Sequence, residues 1–138
     1  MLLGCTKYGE TPESNDAFTI SLRSAAKASF FLVHEHGAGR NERVDYEVGL
    51  VTGRWYHVLF TRDDQRKIYR LYLDGKPLGD KSYGSPPSNG EDTQLWIGSP
   101  EPDFPGFSPP MALFDDVRTY ARVLRPLEID ALAHPTKL

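Results

Sequence analysis

The stretch that most constrains this chain is Gly53 to Gly75, GRWYHVLFTRDDQRKIYRLYLDG. It holds two apolar, strand-patterned runs, Trp55 to Thr61 and Ile68 to Leu73, separated by six polar or charged residues that include the turn-forming pair Asp63-Asp64. The second run ends in Asp74-Gly75, a dipeptide that tolerates positive φ at both central positions of a tight hairpin. Alternation places Val58 and Phe60 on one face with Tyr69, Leu71 and Leu73 on one face of the next strand. His57, Leu59 and Thr61 belong to the other face, as do Ile68, Arg70 and Tyr72. Both faces carry apolar weight, as expected of strands stacked between layers, and Trp55 is expected in the core.

The rest of the chain reads as more strands. Leu2 to Tyr8, Ala17 to Ser24, Ala28 to His36 and Val44 to Val48 precede the hairpin, with Gly9–Asp16 and Gly37–Arg43 as loops. Lys76 to Tyr83 returns from it, with Pro77 marking an edge or a strand start. Thr93 to Gly98 and Met111 to Tyr120 follow, separated by a segment with five prolines, SPEPDFPGFSPP. One short helix is expected from Pro126, with Leu127, Ile129 or Asp130, and Leu132 inward. Eleven prolines and twelve glycines agree with short strands and many turns. The expectation is an all-β, antiparallel two-sheet jelly-roll sandwich with one short C-terminal helix, a single domain over residues 1–138.

Charge and composition exclude several classes. A net charge of −3 with no long basic run argues against nucleic acid as partner. No apolar stretch approaches the ~20 residues of a membrane span. The single cysteine, Cys5, rules out an internal disulfide. Leu2-Leu3-Gly4-Cys5 has the form of a lipobox, but only four residues precede the cysteine, too few for an apolar signal region. A strand thiol is the reading preferred, and no signal peptide is seen.

The ordered motifs GRWYHVLFTRD, LYLDG, LWIG, FDDVRTYARVL and LEIDAL resemble those of the laminin-G-like, concanavalin-A-like lectin domains. The resemblance implies a jelly roll, an extracellular or cell-surface setting, and a non-enzymatic module that binds carbohydrate or an extracellular protein. It departs from the family pattern at Ala112, where a glycine is usual, and at Arg125, where a serine would cap the helix, so a frayed or otherwise capped helix is expected. The family's first strands, one of them tryptophan-bearing, and its usual calcium loop are expected to be missing ahead of Leu2. An unpaired edge near Leu2, Leu3, Cys5 and Phe30–Val33 would follow, and with it a homo-oligomer paired through that edge.

Glycan binding needs an aromatic face for the sugar ring and polar side chains for its hydroxyls. Trp96, alternating with Leu95 and Ile97, is the leading candidate, with Tyr72, Asn89 and Asp103 as partners. Asp115 and Asp116 are the candidate calcium ligands. The reading from a different class is a metal-dependent, cupin-like jelly-roll enzyme using His34, His36 and Glu42, since residues two apart on a strand share a face. Asp45 and Glu47, flanking Tyr46, come nearest to a glucanase carboxylate pair but lack a third carboxylate.

Overall fold

The computed structural model describes residues 3–7, 18–25, 28–37, 40–84, 93–98 and 112–135. The chain divides into two compact units, residues 1–50 with 85–116 and residues 51–84 with 117–138. Eight strands and one helix lie among the described residues: β1 (Leu3–Lys7), β2 (Phe18–Ala25), β3 (Ala28–Gly37), β4 (Arg40–Val48), β5 (Val58–Asp63), β6 (Ile68–Leu73), β7 (Lys76–Ser82), β8 (Thr93–Ile97) and α1 (Pro126–Ala133).

The first unit is a five-stranded antiparallel sheet in the order β4-β3-β2-β1-β8. Its register joins the alternation of each strand into two faces, because directly opposed positions of an antiparallel pair share a face. One face takes Ile97, Leu3, Ile20, Val33 and Val44 in line, then Leu22, Phe31 and Tyr46, then Val48. Ile20, Tyr46 and Val48 on this face are buried, whereas Leu22 and Ile97 on it are exposed. The strand expected at Val44 begins at Arg40 and the preceding strand runs to Gly37, so both reach into the loop expected over Gly37–Arg43. The edge expected at Leu3 and Phe30–Val33 is not open. β1 lies between β2 and β8, and β3 between β2 and β4.

The second unit is a three-stranded sheet, β5-β6-β7, with α1 on one face. Asp63 organises the first turn by accepting the N–H groups of Gln65 and Arg66 at 3.1 and 3.0 Å, and Lys67 closes it at φ 55°. Asp74 and Gly75 close the second at φ 49° and 75°, as Asp-Gly should. Phe60 lies opposite Leu71, and Tyr69 sits between Phe60 and Tyr83, with ring centroids 5.4 and 4.3 Å away. Leu71 and Tyr69 are fully buried. On the other face Tyr72 packs with Leu124 and Ile129, with Leu59 and Leu132 around them. Gly75 permits the approach of α1, for a Cβ there would meet the Ala133 Cβ at 3.1 Å.

The helix is not left frayed by Arg125. Glu128, three residues in, accepts the Arg125 N–H at 2.8 Å, the reciprocal half of a capping box. Arg122 grips the same carboxylate with two nitrogens at 2.8 and 2.9 Å. Ile129 and Leu132 point inward as expected, whereas Leu127 is exposed.

Two expectations fail. Trp55 is not a core residue: the strand starts at Val58, and Trp55 stands 63% exposed on the preceding loop. The strand expected over Met111–Tyr120 does not form, since residues 112–120 have no regular structure and are exposed. Asp116 adopts φ 52°, outside the β region that a strand requires. No helix among the described residues is long and apolar enough to cross a membrane.

Candidate functional site

Residues on one face of the five-stranded sheet make the candidate site. Position 96 on β8 lies opposite Gly4, Gly4 opposite Thr19, Thr19 opposite His34 and His34 opposite Arg43. Five positions therefore cross the whole sheet on one face. A second line, two residues along, holds Ser21, Leu32 and Asp45, and a third holds Arg23, Phe30 and Glu47. Asp45 and Glu47 are exposed while Tyr46 and Val48 between and beside them are buried. Strand alternation thus puts position 96 on the same face as the exposed Asp45 and Glu47. A tryptophan, two hydroxyl residues, a histidine, two arginines and two carboxylates share it with Leu32 and Phe30, a set of residue types that suits a polyhydroxylated ligand with an apolar ring face.

The other expected binding residues do not all join it. Tyr72 is 8% exposed in the core of the second unit, where its hydroxyl accepts from Arg70 at 3.3 Å. Asn89 and Asp103 lie outside the described residues. Asp115 and Asp116 are exposed, and no group of three or more metal-ligating side chains occurs among the residues whose side chains are described.

The register also separates the cupin-like triad. Glu42 lies opposite Glu35, while His34 faces Arg43 and His36 faces Asn41 across the ladder. Positions 34 and 36 belong to one face and position 42 to the other, so the three do not converge on one ion from the sheet.

The charged pairs of the second unit are structural. Arg70 on β6 and Asp80 on β7, directly opposed, pair through two nitrogens and two oxygens, which holds the Asp80 carboxyl below its ordinary range and raises the guanidinium. The Tyr83 hydroxyl donates to Asp64 and is the largest influence lowering that carboxyl. Arg122, ahead of the Arg125 N–H, holds Glu128 well below the usual carboxylate range.

The comparisons place the chain among known proteins. The model of the concanavalin A-like lectin/glucanases superfamily matches residues 6–130. The chain belongs to that superfamily. Its laminin-G-like motifs and antiparallel sheets agree with the all-β jelly-roll class to which they were assigned. Among solved structures, it is similar to an S-layer domain-containing protein (residues 221–444) from Clostridium thermocellum ATCC 27405, at 20% identity and a TM-score of 0.48. That alignment covers 86% of this chain and 64% of the other, so the chain spans less than two thirds of the matched protein. No curated protein matches.

Arg43, Thr19, Asp45 and Glu47 could not be joined to Trp96 from the sequence. The alternation that puts each on a given side of its own strand was legible, but the pairing that sums those sides was not.

Proposed function

We propose that this chain is a non-catalytic carbohydrate-binding module of an extracellular or cell-surface polypeptide, with the Trp96 face of the five-stranded sheet as its ligand surface. The observation that carries the reading is the row from Trp96 through Thr19 and His34 to Arg43, flanked by the exposed Asp45 and Glu47. Membership of a lectin and glucanase superfamily supports it. A glycan is preferred to a protein ligand because the residues around Trp96 are mostly polar, whereas the centre of a protein interface is depleted in charged residues.

The test is a glycan array with the wild-type chain and Trp96→Ala. Binding by the wild type, abolished in the variant with the melting temperature kept within a few degrees, supports the reading. A stability loss on the order of 3–5 kcal/mol would make Trp96 a packing residue. Release of reducing sugar, lost in Asp45→Asn or Glu47→Gln, would replace the binding module with a hydrolase.

A further inference from the structure

Trp55 is held out from the second unit by a loop whose neighbouring residues are tied down. Gly53 turns the chain at φ 79°. The Val51 N–H donates to the Tyr56 hydroxyl at 2.8 Å, closing residues 51–56 on themselves. The Arg54 guanidinium lies 4.7 Å from the Tyr56 ring centroid and donates from Nη2 to Asp74 Oδ2 at 2.6 Å. The His57 N–H donates to the other oxygen of the same carboxylate at 2.9 Å. The residues on both sides of Trp55 are thus fastened to the β6–β7 turn, and the indole between them remains 63% exposed. An exposed tryptophan is unfavourable in isolation, since burying an indole is among the larger gains a side chain can make.

We propose that Trp55 is a second sugar-stacking platform, bordered by the Arg54 guanidinium, that takes a hexopyranose unit of an oligosaccharide. This inference rests on the glycan-binding reading above. A pyranose offers a C–H face to the ring and hydroxyls at its edge, and Arg54, next to Trp55 in the chain and 60% exposed, offers planar N–H donors for those hydroxyls. Fixing the loop before binding lowers the entropy lost when a ligand orders the site, which is what makes a lone aromatic useful. Thr52, Gly53 and Arg54, which precede Trp55 in the loop, are exposed and none is apolar, which fits a single sugar ring better than a broad apolar protein surface.

The chain has two tryptophans, so each can be read alone. Cellohexaose, laminarihexaose and mannohexaose are titrated into Trp96→Phe, where Trp55 is the sole indole, and into otherwise wild-type Trp55→Ala and Trp55→Phe by calorimetry. The expected result is a saturable change in Trp55 emission with reduced acrylamide quenching, binding weakened about tenfold or more in Trp55→Ala, and most of it kept in Trp55→Phe. A sugar bound by the wild type with unchanged affinity in Trp55→Ala overturns the second platform and leaves the sheet-face reading standing. No binding of any of the three sugars by the wild type overturns both. If Trp55→Ala does not fold, weak acrylamide quenching of Trp55 in free Trp96→Phe would make the residue a packing group and overturn the proposal. Strong quenching there that a bound sugar suppresses supports it.

Discussion

Asp74 and His57 hold each other through backbone and side chain at once. The Asp74 N–H donates to the His57 carbonyl at 2.8 Å, and the His57 N–H donates to Asp74 Oδ1 at 2.9 Å. This exchange extends the β5–β6 ladder one step beyond its last strand pair, Val58 with Leu73. The same carboxylate takes Arg54, so one side chain secures a hairpin, a turn and the Trp55 loop. Asp74 does this from the left-handed region, at φ 49°, where aspartate and asparagine are tolerated better than most residues.

Asp74→Ala is expected to cost about 2–3 kcal/mol in urea unfolding, from the lost charge-assisted hydrogen bonds and the left-handed strain. Asp74→Asn keeps the backbone tolerance and is expected to lose about 1 kcal/mol. Equal costs for the two would show that the carboxylate charge and backbone position do not act in this way.

Gly75→Ala places a methyl 3.1 Å from the Ala133 Cβ and 3.3 Å from the His134 ring, at a φ of 75°. Destabilisation of about 1–3 kcal/mol is expected, because the helix must yield as well as the turn. Backbone amide exchange should show α1 loosening first. An unchanged melting temperature would contradict the close packing.

Glu128 gives a pH dependence whose sign follows from its partners. Its folded pKa is lowered, chiefly by Arg122 and then by the Arg125 N–H. The stabilisation is therefore complete above the ordinary glutamate pKa and is lost as pH falls below that value toward the folded one. Glu128→Gln should narrow its stability gap to the wild type as melts are run from pH 6 down to pH 2. A gap that is constant across that range would rule out the ionised cap. The pair is solvent-exposed, so added salt should shrink the effect.

Self-association is expected from the stretch that follows Ala112. Leu113 is 82% exposed, and Val117, Tyr120 and Val123 are also exposed in a strand-patterned segment that joins neither sheet. The outer strands β5 and β7 of the second sheet each have an edge not paired within it. Pairing of that segment with an edge in a second copy is the expected form of cover. Light scattering should give a mass near twice 15.5 kDa, and Val117→Glu with Tyr120→Glu should return it to the single value. A monomer at high concentration would refute this.

The sequence by itself determined the elements whose signal is local. Alternation, apolar runs and turn residues marked all eight described strands to within about four residues, and Asp74-Gly75 marked its turn because only certain residues accept the positive φ it needs. Pro126 marked the helix start for a similar reason. The ordered motifs from Gly53 to Leu132 carried the family. Where a property depends on partners far along the chain, only the tertiary structure decided it. Alternation alone cannot say that Trp96 shares a line with His34 and Arg43, or that Glu42 falls on the face away from His34, because a one-residue change of register would reverse both. Apolar character could not show that Tyr72 would be buried under α1 while Trp55 stays exposed, since burial depends on which surface arrives to cover a ring. The strand expected at Met111–Tyr120 had the right pattern, but a strand exists only through its ladder, and no sheet among the described residues takes up residues 112–120.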